Sequence, residues 1–347
     1  MKYEAITIKD IAKALGLATS TVSRALKGSY EISAETRKLV LEYAEKINYR
    51  PNPSALSLKE KRSRAIGVVV CEIANTFFSQ VINGIESIAY DRGYYVIISQ
   101  SHESYGREVL NTQHLASRSV DGLLVSLSTE TIDMSHFHSL HDKGLPIVFF
   151  DRVCETIDTH KVISDNFKGA YDATTHLINS GYKRIAHLAS APNISTTKER
   201  LAGYRKALEE NKMSYDESLV MYCAHGGLGQ DEIESALSQI MNHRSKPEAI
   251  LAASDRLTLG AMAWLKDKKI SIPGQIALVG FTNSQQANIF SPSLTSIRQP
   301  AFEMGQIATE KLIEIIESKT PVLKFETSVL KTELVVRTSS TMIRPYE

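Results

Sequence analysis

Apolar positions in the first fifty residues recur three times at helical spacing. In the first block, Ile8, Ile11, Ala12 and Leu15 fall on one face. Thr7 precedes them with Asp10 three residues on, a capping box with Asp in place of Glu. Gly16 is placed to end this helix in the left-handed conformation, after which Leu17 packs inward. A second helix starts near Thr19 and runs to about Leu26. Its inner face is Val22, Ala25 and Leu26, and its outer face offers Thr19, Ser20, Ser23 and Arg24. A third starts after Ser33, a natural N-cap, and buries Val40, Tyr43, Ala44 and Ile47. Pro51 and Pro53 stop it. A short amphipathic piece, Ser54 to Lys59, then leads into the basic run Lys59, Lys61, Arg62 and Arg64.

From Ile66 the pattern changes. Short β-rich runs (AIGVVV, YYVIIS, DGLLVS, LPIVFF, HKVISD, KRIAHLA, EAILAAS, QIALVGF) alternate with amphipathic stretches such as Phe78 to Arg92 and Arg200 to Asn211. Such alternation predicts parallel sheets with helices on both faces. Two similar halves emerge, about Ile66–Asp158 and Lys161–Pro292.

Charge sharpens this division. The 347 residues carry 40 Lys+Arg against 39 Asp+Glu, yet residues 1–64 hold 13 against 7 and the remainder 27 against 32. A basic head on an acidic body predicts that the head alone meets a polyanion. No apolar run approaches the roughly 18 residues of a membrane span. The opening MKYEAITIKD lacks the apolar core of a signal peptide, and Cys71, Cys154 and Cys223 are scattered without metal or disulfide spacing. These features predict a cytoplasmic protein without membrane contact.

The first two helices read as a helix-turn-helix, whose second helix enters the major groove with its N-terminal residues leading. Short hydroxyl side chains there allow close approach to bases and phosphates. Arg24 is suited either to a bidentate contact with guanine or to a phosphate clamp. Enzyme signatures are missing: there is no phosphate loop with Lys-Ser/Thr, no G-x-S-x-G and no H-E-x-x-H. The glycines of HGGLG, His225 to Gly229, fit no phosphate-binding spacing and read as a loop. His138 and His141 lie on a polar helix face without metal geometry. Neither a metal nor a cofactor is expected, and no catalytic residue is assigned. A periplasmic sugar-binding protein shares the predicted body, but would need an export signal and no DNA head.

Ten motifs in order carry a resemblance: TIKDIAKALGLATSTVSRALKG, ISAETRKLVLEYAEKINYRPN, ALSL, NTFFSQVINGIE, VDGLLVS, FFDR, KGAYDATTHLINSGYKRIAHL, ERLAGYRKAL, ASDRLTLGAM and PSLTSIRQP. They span essentially the whole chain, which resembles the lac repressor/galactose repressor family of transcription factors. The resemblance implies a helical head over residues 1–50 and a hinge helix and linker over 51–64. It implies a first effector-binding lobe of 65–160 plus 300–327, and a second of 161–299 plus 328–343. The lobes are two doubly wound parallel sheets in a periplasmic-binding-protein-like body, joined by three crossovers. The family's base-reading positions fall on Thr19, Ser20 and Arg24, and its phosphate positions on Thr21 and Ser23. Thr7 joins this DNA-contacting set. The hinge helix matches Pro53 to Lys59, where Leu58 matches a leucine wedged into the minor groove, with Ala55 beside it. Leu56 stands where many members carry arginine. Lacking the C-terminal leucine heptad of the family's tetramers, the chain is expected to be a homodimer on a pseudo-palindromic operator, associated with the nucleoid.

Open parallel sheets bind ligands at the carboxyl ends of their strands. That rule selects Asn75, Phe77, Phe78, Ser126, Asp151, Arg152, Ser195, Thr197, Arg200, Ser254, Asp255, Thr282 and Asn283. Family matches mark Arg200 as an effector contact, Phe77 and Phe78 as pocket aromatics, and Asp151 as a position that contacts the ligand or braces the hinge. Thr282 departs from an aspartate that many members carry. The expected effector is a carbohydrate or its phosphate or acid, the charged forms suiting Arg152 and Arg200. Repression is the commoner role for such a head, and induction is the expected direction of the effector response, with corepression as the alternative.

Overall fold

A computed structural model describes residues 6–49, 62–118 and 120–341. The chain divides into two units, Met1–Arg64 and Ala65–Glu347.

Among the described residues, the first unit packs three helices, α1 (Ile8–Leu15), α2 (Thr19–Leu26) and α3 (Ala34–Lys46). Their starts follow from local chemistry. Asp10 Oδ2 accepts the Thr7 N–H at 2.8 Å and the Thr7 hydroxyl at 2.7 Å. Those bonds hold the Asp10 carboxyl below its ordinary pKa. Ser33 Oγ accepts the Thr36 N–H at 3.2 Å. Gly16 ends α1 at φ 66°, a left-handed conformation that costs glycine nothing. Ile11, Val22, Ala25 and Val40 are fully enclosed, with Ala12 and Ala44 nearly so. Leu15, Leu26, Tyr43 and Ile47 close the edges. The helical periods of the sequence thus meet in one small core.

The second unit contains two six-stranded sheets. The strands of the first are β1 (Ala65–Val70), β2 (Tyr95–Gln100), β3 (Gly122–Val125), β4 (Ile147–Phe150), β5 (Lys161–Ser164) and β11 (Thr327–Leu330). They lie in the order β11-β5-β4-β3-β1-β2, all parallel. Those of the second are β6 (Ile185–Ala189), β7 (Val220–Tyr222), β8 (Ala249–Ala252), β9 (Ala277–Phe281), β10 (Thr295–Arg298) and β12 (Glu333–Val335). Their order is β12-β10-β9-β8-β6-β7, with β12 antiparallel to β10.

Around the first sheet run α4 (Thr76–Asp91), α5 (Tyr105–Ser117), α6 (Ser135–Asp142) and α11 (Ala301–Glu317). Around the second run α7 (Asn166–Asn179), α8 (Ser195–Glu210), α9 (Gln230–Met241) and α10 (Asp255–Asp267). The central strands β1, β3, β4, β6, β8 and β9 are buried almost throughout, as parallel strands covered on both faces must be. Helices α4 and α11 cross at backbone contact. A Cβ on Gly84 would stand 2.0 Å from the Phe302 carbonyl oxygen, and one on Gly305 2.1 Å from that of Val81.

One sequence expectation is corrected. Residues 161–164 and 328–330 were assigned to the second lobe, but β5 pairs with β4 and β11 in the first sheet. The crossovers therefore fall at Asp165 and at Lys331–Thr332. The alternating burial of Lys-Val-Ile-Ser makes β5 a genuine strand of the first sheet, which the sequence pattern alone could not allocate. Strands β7 and β10 were missed as separate runs because each is short and flanked by polar residues.

Candidate functional site

In the first unit, Thr19, Ser20 and Arg24 lie exposed on α2 and Thr7 before α1; Thr21 and Ser23 are half-buried. Arg24 Nη1 lies 3.0 Å from Glu31 Oε2, with the side chains 58% and 47% exposed. An exposed pair of this kind is worth about 0–1 kcal/mol. Ala55 and Leu58 lie outside the described residues.

The second unit builds its cleft from strand ends. The two lobes touch through polar groups. Asn193 Nδ2 donates to the carbonyls of Thr129 (2.8 Å) and Thr131 (3.3 Å). Arg256 pairs with Glu72, and Asn283 Nδ2 donates to Gln80 Oε1 at 2.7 Å. Gln299 Nε2 donates to Ser164 Oγ at 3.1 Å.

On the first-lobe side, Glu103 and Arg152 form a buried ion pair at 2.7 Å. Burial pushes the Glu103 carboxyl up, but the Arg152 charge and hydrogen bond outweigh it and hold the pKa below its usual value. Asp151 adopts a left-handed φ of 58° and is 6% exposed. Burial raises its pKa, against Arg152 and Arg200. A carboxylate is fully enclosed at Glu108, which accepts from Ser128 N (2.7 Å), Ser128 Oγ (2.9 Å) and Thr131 Oγ1 (2.8 Å). His136 Nε2 is 3.2 Å away from it. This anchor fixes the loop after β3, where Ser126 Oγ and Thr129 Oγ1 are buried without a hydrogen-bond partner.

On the second-lobe side, Arg200 is 5% exposed. Its Nε and Nη2 donate to Asn166 Oδ1 at 2.9 and 2.7 Å, and its Nη1 to the Ala253 carbonyl at 2.5 Å. The guanidinium lies over the Phe281 ring at 4.0 Å. Burial lowers its pKa to about 10, leaving it charged at neutral pH. Ser190 Oγ and Ser195 Oγ are buried without partners. Thr197 is buried in the first turn of α8, and Ser254 caps α10 by accepting from Leu257 N at 3.3 Å. Thr282 donates its hydroxyl to Asp255, whose pKa burial raises. A neutral donor thus stands against a carboxylate, where an aspartate at 282 would repel it.

The structure buries the aromatic candidates away from these polar groups. Phe77 and Phe78 pack edge-to-face at 5.2 Å within the first-lobe core. Asn75 spends its Oδ1 capping α4, accepting from Phe77 N at 2.9 Å. It borders a cavity of about 390 Å³ shared with Glu72, Leu228, Asp255, Arg256 and Trp264. Sequence reasoning missed Glu103, Glu108, Thr129, Ser190 and Asn193. Glu103 follows β2, an end the strand-end rule would have reached had YYVIIS been followed through. HGGLG is a loop as expected, but it also reaches the cleft. A Cβ on Gly226 would meet Ser190 Oγ at 3.3 Å and Glu103 Oε1 at 3.8 Å.

Among the described residues no group of three His, Cys, Asp or Glu is arranged to hold a metal, and no helix is long and apolar enough to cross a membrane. Comparison with known proteins agrees with the two-unit layout. Residues 7–52 match the model for bacterial regulatory proteins of the lacI family, and residues 174–340 that for a periplasmic binding protein-like domain. The HTH-type transcriptional repressor PurR of Vibrio atlanticus (strain LGP32) is 34% identical over 313 residues, covering 90% of this chain and 92% of its own. The lac repressor dimer bound to operator and the anti-inducer ONPF superposes with a TM-score of 0.82 at 25% identity, covering 98% of this chain and all of that one. The transcriptional regulator CelR in complex with cellobiose gives 0.71 at 30% identity, covering 96% and 99%. The chain therefore belongs to the lacI family of bacterial regulatory proteins and is a DNA-binding transcriptional repressor rather than an enzyme.

Proposed function

We propose that the protein represses transcription as a homodimer on a pseudo-palindromic operator, and that an uncharged polyhydroxylated small molecule in the cleft sets its affinity for DNA. Helix α2 of each copy enters one half-site, with Thr19, Ser20 and Arg24 toward bases and Thr7, Thr21 and Ser23 toward phosphates. Ala55 and Leu58 belong to the proposed minor-groove contact. A DNA-binding repressor of bacteria works in the cytoplasm, at the nucleoid.

The effector reading rests on four of the six buried hydroxyl oxygens without partners among the described residues, the four that follow strand ends, two in each lobe: Ser126, Thr129, Ser190 and Ser195. Buried polar groups are ordinarily hydrogen-bonded, so unmatched hydroxyls on facing walls suit a ligand bearing many hydroxyls. Two guanidiniums that would greet an anion are already engaged, Arg152 by Glu103 and Arg200 by Asn166 and Ala253. The buried Asp151 and the half-buried Asp255 further oppose one. Cellobiose in the related CelR complex is consistent with a neutral sugar. Because the ligand touches both lobes, it favours one lobe arrangement, and its coupling to DNA is reciprocal.

The test has two stages. Selection from fragmented genomic DNA with the full chain identifies the operator. Operator binding is then titrated with neutral sugars and with their phosphates and uronic acids. A neutral sugar that shifts the operator Kd supports the reading, and the same titration gives the sign of the response. A response confined to the charged forms would refute the effector assignment.

A further inference from the structure

The turn after α2 brings an acid back to the residue assigned above to base reading. Gly28 takes φ 69°, and Ser29 N–H donates to the carbonyl of Arg24 itself at 3.0 Å. Glu31 N–H donates to Ser29 Oγ at 3.4 Å, and the next side chain, Ile32, packs against the core of the head. The backbone is thus folded over the last turn of α2, and it sets Glu31 Oε2 3.0 Å from Arg24 Nη1.

We propose that Glu31 is a positioning residue for operator reading: it holds the Arg24 guanidinium oriented and charge-balanced, so that Arg24 favours a guanine edge over a phosphate. This rests on the assignment of Arg24 to base contact. A guanidinium carries five donors in a rigid fork, and an ion pair at one nitrogen leaves the others for the O6 and N7 acceptors of guanine. Affinity for random DNA comes from phosphate neutralisation. Beside Glu31, Arg24 adds little net charge to that term, whereas two aligned acceptors in the groove still reward it in full. The expected consequence is a higher ratio of specific to non-specific affinity.

The experiment compares the wild type, Glu31→Gln, Arg24→Ala and the double variant, each as full chain. Kd is measured on the selected operator and on scrambled DNA of equal length, across a salt series. Glu31→Gln is expected to bind scrambled DNA several-fold tighter, with a log Kd–log salt slope steeper by about one, the contribution of roughly one extra phosphate contact. The operator gains less, so the specificity ratio falls. In the Arg24→Ala background the same change should leave the ratio unmoved. Equal gains on both DNAs, or a loss of ratio that persists without Arg24, would overturn the proposal, since simple removal of a negative charge does either. If the wild type prefers no sequence at all, the reading of the head itself fails, and this proposal with it.

Discussion

Two arginines show how differently the two units present their chemistry. Arg24 stands 58% exposed in the head, with one acid beside it. Arg200 is 5% exposed in the body, with three donated hydrogen bonds and an aromatic ring beneath it. DNA is larger than the head and must be met from outside, so its readers have to remain solvated. A small ligand held between the lobes, as proposed, would be enveloped, and the side chains around it are fixed in advance by hydrogen bonds and burial. Substitutions in the head should therefore change recognition while sparing the fold. Substitutions in the cleft should change both.

The largest test of that contrast is Glu108→Ala. Removing this enclosed side chain takes the acceptor from the Ser128 N–H and the Thr131 hydroxyl and leaves the Ser128 hydroxyl with Ser101 Oγ alone. Each buried donor left without a partner costs about 1–3 kcal/mol. Chemical denaturation of the full chain should show this loss in the body transition, and the loop bearing Ser126 and Thr129 should lose its response to the effector. A change below about 1 kcal/mol would mean that Glu108 is no anchor.

Acid offers a second. His187 lies buried in β6, stacked on Tyr204 at 5.1 Å, with its Nδ1 donating to the Leu251 carbonyl. Burial lowers its pKa from 6.5 to about 4. Between those values the unfolded chain holds the proton and the folded chain does not, so stability falls as pH drops from about 6.5 to about 4. The loss amounts to about 3 kcal/mol at the lower end. Asp151 and Asp255, raised by burial, act in the opposite sense, since their folded forms keep protons longer as pH rises. His187→Gln isolates the histidine: it should flatten the wild-type decline over this window. A decline of the same depth would place its origin elsewhere.

Arg24→Ala probes the other side of the comparison. Loss of a guanine contact should weaken operator binding by about 1–3 kcal/mol and relax preference at one base pair. Thermal unfolding of the head should barely move, because the exposed pair with Glu31 contributes about 0–1 kcal/mol. An unchanged base preference would limit Arg24 to phosphate contact.

The same contrast explains what could be read in advance. The head is local: Thr7, Gly16, Ser33 and the helical period of Ile11, Val22 and Val40 each announce themselves within a few residues. The cleft is assembled from strand ends far apart in sequence. The rule for parallel sheets names Ser126, Asp151, Ser195 and Arg200 as candidates, because it depends only on where apolar runs stop. It could not say that Asn166 and Ala253 would saturate Arg200, nor that Phe77 and Phe78 would turn into the core. Glu108 was invisible because it sits inside a helix, and its role exists only once α5 lies beside the loop after β3. The allocation of β5 to the first sheet was equally hidden, being decided by pairing with β11 across 166 residues.

The smallest expected effect concerns the contact between the lobes. Asn193 donates across the cleft to the Thr129 and Thr131 carbonyls, and neither bond belongs to the interior of a lobe. Its loss in Asn193→Ala should therefore spare the stability of each sheet and act on the balance between closed and open arrangements. A hydrogen bond of this kind is worth about 0.5–1.5 kcal/mol, or roughly 2- to 10-fold in that balance. A ligand that requires the closed arrangement binds more weakly in proportion to the closed fraction lost. The midpoint of the effector response should move to higher ligand concentration by no more than that factor, while the operator Kd without ligand shifts only as far as DNA distinguishes the two arrangements. An unmoved midpoint would mean that closure across Asn193 is not coupled to the ligand. The cleft would then resemble the head, with recognition groups that act without rearranging the unit that carries them.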